Sequence, residues 1–539
     1  MKDISSTGSF INFYLNNYIY VDKTQYIRDL IKLERVFISR PRRFGKSLTL
    51  DTIATLFETG VEPYFKGTWI YDKWTEPTYP VLRLNFLDLD KYSLDLFKQK
   101  LNSIITAFAQ DINLKGYKEK VEPEDTIDSM LEKLREEKRQ IVILIDEYDC
   151  QLTSNINNEE LYKQFQKELQ NIYNNLKDKW AIKFLLITGV TKTKNSSVFS
   201  GTDINDITNY SPYSQMIGFT RDEIKKYYID HLKLAASYEN NCAVDEITDD
   251  KLESMFDKLE EQYGGYCFDE DYEKKVFNTG SVNDFFQSVV SNKFVYFGEY
   301  WYDNGGLPSI LVNYLKTHEL NIFDYLDKDK SLKVTDDDFK NPTALTSMNQ
   351  NVLMCQTGYL TLRSSLNDSN IIALGIPNGE IYKALNKLLA AKFFKGKIDV
   401  TNDVNENILD VGSVEDIISL LNTMVNTVTY DTYPLNSESA VQNYVKAYLL
   451  GAKQTVSSEV HQAKGRADLM IETNKRRIVF EFKYAQNETE AKIKLNEAVE
   501  QIKTRDYGNI LPKKAELLRI AAVFNADPKV RAFTLSQQV

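Results

Sequence analysis

Apolar positions along this chain alternate between short unbroken runs and helical stripes. Arg35–Ser39 is a short run that leads into a polar loop, and Val81–Phe86 and Lys183–Thr188 are comparable strand-like runs. Gln140–Ile145 is apolar on both faces, the pattern of a strand in a covered parallel sheet. Gln25–Lys32 and Leu48–Glu58 carry helical patterns between them. From Asp230 to Lys397 the pattern is mainly helical, broken by aromatic-glycine stretches at Tyr263–Phe268 and Trp301–Pro308 and by a charged loop, Asp327–Asn341. Thr357–Leu360 followed by Leu374–Asn378 predicts a small β element, and Thr401–Asp416, polar and acidic, predicts a linker. Beyond it come a helix (Ser437–Leu450), a strand-like run (Thr455–Val460), two β-branched arms (Gly465–Ile471 and Arg477–Lys483), a helix (Thr489–Arg505) and an apolar strand (Leu518–Phe524).

The two arms read as a hairpin with Thr473–Arg476 as the polar break. A two-residue turn, Asn474-Lys475, puts Asp468 opposite Glu481, with Cβ atoms about 5 Å apart on one face. Lys483, two residues on, shares that face. Two carboxylates and an ammonium thus converge, a set whose hard oxygens suit Mg²⁺ or Mn²⁺ and whose lysine can stabilise charge on a phosphate. An ordinary surface ion cluster uses the same residue types, so the surroundings decide. Glu438 opens the preceding helix and Glu459 ends the preceding strand-like run.

The order α-β-β-β-α-β with acids at these places resembles the PD-(D/E)XK nuclease superfamily. The G-R-A-D…E-F-K form and the later Gln501-Ile502-Lys503…Tyr507 resemble the nuclease-like domain found behind an AAA-ATPase-like domain. Ala467 stands where the superfamily usually has proline. The resemblance implies a metal held by Glu438, Asp468 and Glu481, with Glu459 a rival to Glu438. It also implies Asp468, Glu481 and Lys483 as the cleaving set and Gln501 facing it from the helix.

Near the start, the strand Arg35–Ser39 runs into Arg40-Pro41-Arg42-Arg43-Phe44-Gly45-Lys46-Ser47 and then a helix. Strand, loop, G-K-S and helix are the context of a P-loop, where backbone N–H groups and a helix N-terminus cradle phosphates. Arg42, Arg43, Phe44, Gly45, Lys46, Ser47 and Leu48 are the expected nucleotide contacts, with Ser47 on Mg²⁺. Arg40 stands where the motif usually has its first glycine. The buried strand Gln140–Ile145 ends in Asp146-Glu147-Tyr148-Asp149, at the end where ligands bind in such sheets. Asp146 is expected to hold Mg²⁺ and Glu147 to polarise the attacking water. The strand ending at Thr188 is expected between these two, with Thr188 sensing the γ-phosphate. The full set resembles the AAA-ATPase-like family over about Ser9–Ile229: R-P-R-R-F-G-K-S, I-D-E-Y-D, Ile187–Lys192, Phe199–Gly201 and Gly218–Ile224. The arginine-rich loop is that family's own variant.

The chain of 539 residues is too long for one core. The expected division is an AAA-ATPase-like P-loop domain over 1–235, a mainly helical lid region over 236–400, a linker over 401–416 and a PD-(D/E)XK nuclease-like α/β domain over 417–539. Hydrophobic content of 42% and charged content of 27% fit a soluble globular protein. No long apolar run and no basic-then-apolar start are present, so a cytoplasmic location without membrane contact is expected. Four scattered cysteines and three histidines leave little for disulfide, zinc-finger or histidine-metal chemistry. Net charge is −11, yet Ala452–Val539 holds 16 Lys and Arg against 11 Asp and Glu, a net +5 that leaves −16 on the rest. A basic module on an acidic body suits contact with a phosphate backbone. The sequence reading is therefore an ATP-hydrolysing domain coupled to a Mg²⁺- or Mn²⁺-dependent nuclease. ATP and nucleic acid are its partners, DNA ahead of RNA, with homo-oligomerisation open. The rival readings are an ATP-switched nucleic-acid-binding scaffold and a DNA-transaction motor with an inactive or secondary nuclease fold. Arg42, Arg43 and Arg221 stand as arginine-finger candidates.

Overall fold

The computed structural model describes residues 1–176, 179–193, 204–301, 310–311, 313–314, 324–325, 328–366, 370–393, 408–426, 435–451, 455–462, 465–473, 475–509 and 516–539. The expectations for Phe199–Gly201, for residues 302–308 and 401–407, and for Asn474 lie outside these. The chain forms two compact units, Met1–Leu320 with Asp329–Ile381, and Asn321–Lys328 with Tyr382–Val539.

The first unit is built on five parallel strands: β1 (Arg35–Ser39), β2 (Val81–Asn85), β3 (Ile141–Asp146), β4 (Ile182–Gly189) and β5 (Asn205–Asp206). Their order is β2-β3-β4-β1-β5, so the strand ending near Thr188 does lie between the P-loop strand and the acidic strand end. Every residue of β1 and β3 is buried, as a sheet covered on both faces requires. Helix Lys46–Thr59 follows β1 directly and buries Ile53, Leu56 and Phe57. Helices Ile229–Asn240, Asp249–Tyr263 and Thr279–Asn292 form a second core through Leu232, Phe256, Leu259, Phe285 and Phe286.

This second part is less helical than the pattern predicts. Among the described residues, β6 (Tyr266–Cys267) pairs with β7 (Lys275–Val276). A three-stranded antiparallel sheet has the order β8-β10-β9, from β8 (Leu332–Thr335), β9 (Thr361–Leu366) and β10 (Ile371–Gly375). Asp327–Asn341 is thus not simply a loop. It contains β8 and the helical turn Asp336–Lys340. Only Leu332 and Val334 face inward there, and charged neighbours mask that two-residue alternation. Tyr263 and Trp301 are fully buried, so these aromatics serve packing.

In the second unit the strand order is β11-β12-β13-β14-β15. The strands are β11 (Thr455–Gln462), β12 (Gly465–Glu472), β13 (Arg476–Ala485), β14 (Glu516–Asn525) and β15 (Ala532–Gln538). Only β13 and β14 pair in parallel. Helices Val414–Asn426 and Glu438–Gly451 share a core with Leu469, Ile471, Phe480 and Phe482. Helix Glu488–Arg505 packs on the opposite face through Ala498 and Ile502 against Met470 and Val479. The expected linker ends early: Leu409 is buried in the first of these cores, and Asp416 lies in the first turn of Val414–Asn426. The buried Arg476 guanidinium fixes that approach, donating to the carbonyls of Leu409 (2.6 Å), Gly412 (2.8 Å) and Ile408 (3.0 Å). No described helix is long and apolar enough to cross a membrane.

Candidate functional site

In the first unit the loop after β1 turns on two left-handed residues, Arg43 (φ 67°) and Gly45 (φ 100°). Glycine meets that demand without strain, whereas a side chain such as Arg43's costs on the order of 1 kcal/mol. Ser47 opens helix Lys46–Thr59 and donates its hydroxyl to Asp146 Oδ2 at 2.6 Å. Asp146 Oδ1 accepts the Thr188 hydroxyl (2.6 Å) and the Glu147 N–H (3.0 Å). Thr188 is fully buried and is not part of the lining of the cavity beside Glu147. Lys46 Nζ is held by the carbonyls of Arg40 (3.0 Å) and Pro41 (3.2 Å) and lies 3.7 Å from Glu147. Glu147 leaves β3 in a left-handed conformation (φ 52°). Burial raises its carboxyl pKa, reinforced by Asp149 and Asp146 and opposed by Lys46.

The arginines of this loop divide by role. Arg40 is 1% exposed and turns inward over the Phe268 ring at 4.3 Å, donating to the carbonyls of Ser39 and Thr208. The position usually held by glycine is thus occupied by a residue that does not line the cavity beside Glu147. Arg43 pairs with Asp284 at 2.7 Å and donates to Tyr300 O, while its own carbonyl accepts the Gly280 N–H and the Thr279 hydroxyl. Helix Thr279–Asn292 therefore buttresses the loop, a role the sequence did not disclose. Arg221 is engaged by Glu253, Asp257 and Glu260. Of the three arginine-finger candidates, Arg42 lines the cavity beside Glu147 and has no such ion pair among the described residues.

That cavity holds about 670 Å³ and is lined by Phe44, Gly45, Lys46, Ser47, Leu48 and Glu147. Ile19, Val21, Met216 and Phe219 add apolar lining to it. The Lys23–Glu223 ion pair at 2.6 Å joins the Tyr20–Thr24 and Gly218–Ile224 stretches there. Both stretches stand out in the sequence, but their meeting depends on a contact 200 residues apart. Tyr148 and Asp149 turn the other way: the Tyr148 hydroxyl donates to Thr191 O at 2.8 Å, and Asp149 accepts the Thr191 N–H at 2.7 Å. A Cβ on Gly189 would lie 2.5 Å from the Tyr148 ring and 2.6 Å from Asp149 Oδ1. Gly189→Ala should therefore cost about 1–3 kcal/mol by overpacking, read as a lower denaturation midpoint.

In the second unit, the β12–β13 register runs from Glu472↔Arg477 to Leu469↔Phe480. Thr473 N–H donates to Arg476 O at 3.0 Å, closing a two-residue turn. Extended by one pair, the register sets Asp468 against Glu481. Asp468 Oδ2 accepts the Phe482 N–H at 2.8 Å. Phe480 and Phe482 point into one core, so alternation turns Glu481 and Lys483 to the face covered by helix Glu488–Arg505. Lys483 Nζ donates to Glu481 Oε1 (2.8 Å) and Phe482 O (3.1 Å) and lies 3.7 Å from Glu438. Glu438 is half-exposed at the first turn of its helix. The β11–β12 register brings position 459 opposite position 468.

Glu481 is fully buried, and among the described residues its Oε2 has no hydrogen-bond partner. Burial and the neighbouring Asp468 charge push its pKa up to about 7, against the pull of Lys483. Burial works against the Lys483 ammonium, but Glu481, Glu438 and Asp468 together hold its pKa above the ordinary value. A buried carboxylate oxygen without a partner, beside a second carboxylate, fits a hard divalent cation. From the covering helix, Gln501 donates to the Tyr507 hydroxyl at 3.3 Å. Arg505, which the sequence reading passed over, donates to the same hydroxyl at 2.9 Å. That bond, with the charges of Glu481 and Asp468, raises the Arg505 pKa. Its signal was a basic residue one helical turn beyond Gln501, on the same face. A different acidic group, Glu122, Glu124 and Glu168, has the tighter spacing of a metal cluster. Lys98 is ion-paired with Glu122 and Glu168, which accounts for that grouping without a metal.

Comparison with known proteins accords with this division. Residues 5–199 match the family model described as a predicted AAA-ATPase, and residues 436–533 match that of the PD-(D/E)XK nuclease superfamily. The chain thus carries an AAA-ATPase-like domain and, toward its carboxyl end, a PD-(D/E)XK domain. A protein of Azotobacter chroococcum mcd 1, described as an uncharacterized protein in the vnfD 5′ region, is 25% identical over 535 residues, covering 95% of this chain and 94% of the relative. Among solved structures, Cdc6p from Pyrobaculum aerophilum aligns at 12% identity and a TM-score of 0.23, over 68% of this chain and 93% of that one. The Aeropyrum pernix Orc1 protein in complex with DNA aligns at 9% and 0.25, over 69% and 95%.

Proposed function

We propose that the chain hydrolyses ATP in its first unit and cuts nucleic acid, DNA ahead of RNA, in its second, with nucleotide turnover governing the cut. One observation carries the nuclease reading: Glu481 is buried with one oxygen that has no hydrogen-bond partner among the described residues, Asp468 beside it and Lys483 on its other oxygen. Asp468 and Glu481 would hold a divalent cation, and Glu438 would flank it. Such a cation, when bound, lowers the pKa of a coordinated water and stabilises charge on the phosphate. Lys483 would set its ammonium against the scissile phosphate, and Arg505 would grip a neighbouring phosphate.

In the first unit Lys46 would reach the terminal phosphates of ATP, and Ser47 with Asp146 would hold the accompanying Mg²⁺. Glu147 would accept the proton of the attacking water, and its raised pKa suits a base working near neutrality. The apolar lining of the cavity would take the base.

The test is incubation of the purified protein with end-labelled DNA and RNA strands in Mg²⁺ or Mn²⁺, with and without ATP. Expected is cleavage of DNA that changes with ATP. DNA cleavage indifferent to ATP and to a non-hydrolysable analogue would sink the coupling. Cleavage confined to RNA would sink the choice of DNA.

A further inference from the structure

A second cavity in the first unit, about 580 Å³, lies on the helix Phe10–Leu15; no residue of the loop after β1 lines it, though it shares Phe13, Ile19 and Tyr20 with the first cavity. Phe10 and Tyr20 of its lining meet edge-to-face at 4.9 Å between ring centroids, and Phe10 stacks at 4.4 Å on the buried Phe65 beneath. Its walls carry tyrosines that are not fully buried. Tyr14 is 45% exposed and meets Tyr64 edge-to-face at 5.6 Å, and Tyr227 bears the Lys226 ammonium over its ring at 4.8 Å. Lys2, Lys66 and Lys226 stand around the opening, exposed and without a carboxylate partner among the described residues. The lining also holds two acids, which offset part of this charge. Asp22 accepts the N–H and hydroxyl of Thr24 and the Trp69 N–H, and Asp230 lies 3.8 Å from the Met1 ammonium.

We propose that this groove binds a single-stranded segment of DNA, a proposal that rests on the nucleic-acid reading of the second unit. Half-exposed tyrosine rings, Tyr14 foremost, offer apolar surface to unpaired bases, and the ammonium groups around them answer the phosphates. On a chain of net −11, Lys2 and Lys66, without an ionic partner among the described residues, and Lys226 over the Tyr227 ring set three cations around one aromatic groove, the charge a polyanion requires of its contact surface. A duplex keeps its base faces stacked, so the tyrosines select an opened strand. The groove would thereby hold the substrate on the ATPase unit while the second unit cuts.

The experiment is fluorescence anisotropy with a labelled DNA strand in EDTA, where binding is read without cleavage, on the full chain. The double substitution Tyr14→Ala with Tyr64→Ala should weaken binding at least tenfold, since each lost stack is worth about a factor of ten. Lys66→Glu with Lys226→Glu should weaken it and flatten its salt dependence. Unfolding midpoint and DNA-free ATP turnover serve as fold controls and should match the parent. A strand substituted with 5-iodouracil should photo-crosslink to peptides spanning residues 10–20, 62–68 or 226–231. Parent-like affinity in both double variants overturns the groove and leaves the nuclease reading standing. Equal loss with duplex DNA overturns the single-strand assignment, and binding confined to RNA overturns the choice of DNA. Crosslinks confined to the second unit also overturn it.

Discussion

Glu147→Gln should leave ATP bound and slow its hydrolysis by about 10²-fold or more, the usual contribution of a positioned general base. The carboxylate lies 3.7 Å from Lys46 Nζ at the mouth of the cavity, held by the left-handed turn at the end of β3. Glutamine keeps the size and much of the polarity but accepts no proton at neutral pH. Lys46→Ala should instead remove binding, because it deletes the cation that the P-loop carbonyls aim into the cavity. Nucleotide binding by a fluorescent ATP analogue, measured beside phosphate release, separates the two outcomes. Glu147→Gln that hydrolyses at the parent rate would assign the water-activating role elsewhere.

Asp468→Ala and Lys483→Ala should each reduce strand cleavage by about 10²–10³-fold while ATP turnover continues. Asp468 does two things at once: it accepts the Phe482 N–H and places a second negative charge beside buried Glu481. Lys483 neutralises Glu481 and lies between it and Glu438. Removing Lys483 leaves a buried carboxylate without its cation, so folding must be checked by the unfolding midpoint of the same preparation. Lys483→Arg keeps the charge but not the point geometry, and partial recovery is expected. Cleavage unaffected by either alanine, in folded protein, would remove the hairpin from the active centre.

The hairpin was legible because its determinants are local. Two apolar arms around a polar break set the register, and a period of two sets the face, so the convergence of Asp468, Glu481 and Lys483 follows from spacing, while their reading as a site took the surrounding elements as well. The P-loop and the end of β3 were legible for a similar reason, each being a strand that runs into a polar loop. Ser47 and Asp146 meet at 2.6 Å although β4 lies between their strands, because Ser47 sits in the first turn of the helix that follows β1. What escaped the sequence depends on distant contacts. Arg43 pointing to Asp284, Lys23 meeting Glu223, and Arg40 turning onto Phe268 join segments far apart in the chain, and no periodicity records them. The strand β8 was lost because two inward residues among charges make too short a signal. Arg505 was hidden for a different reason: on a helix rich in lysine and glutamate, one more basic residue looks like solvent-facing charge.

The decisive measurement is cleavage of an end-labelled DNA strand by parent and Glu481→Gln proteins, both stripped of metal and then titrated with Mg²⁺. Expected is no product from either protein in EDTA, product from the parent that rises and saturates with Mg²⁺, and a loss of about 10²-fold or more in Glu481→Gln. A parent that cuts in EDTA, a parent that cuts at no Mg²⁺ or Mn²⁺ concentration, or a folded Glu481→Gln protein that cuts like the parent would contradict a metal-dependent centre on this hairpin.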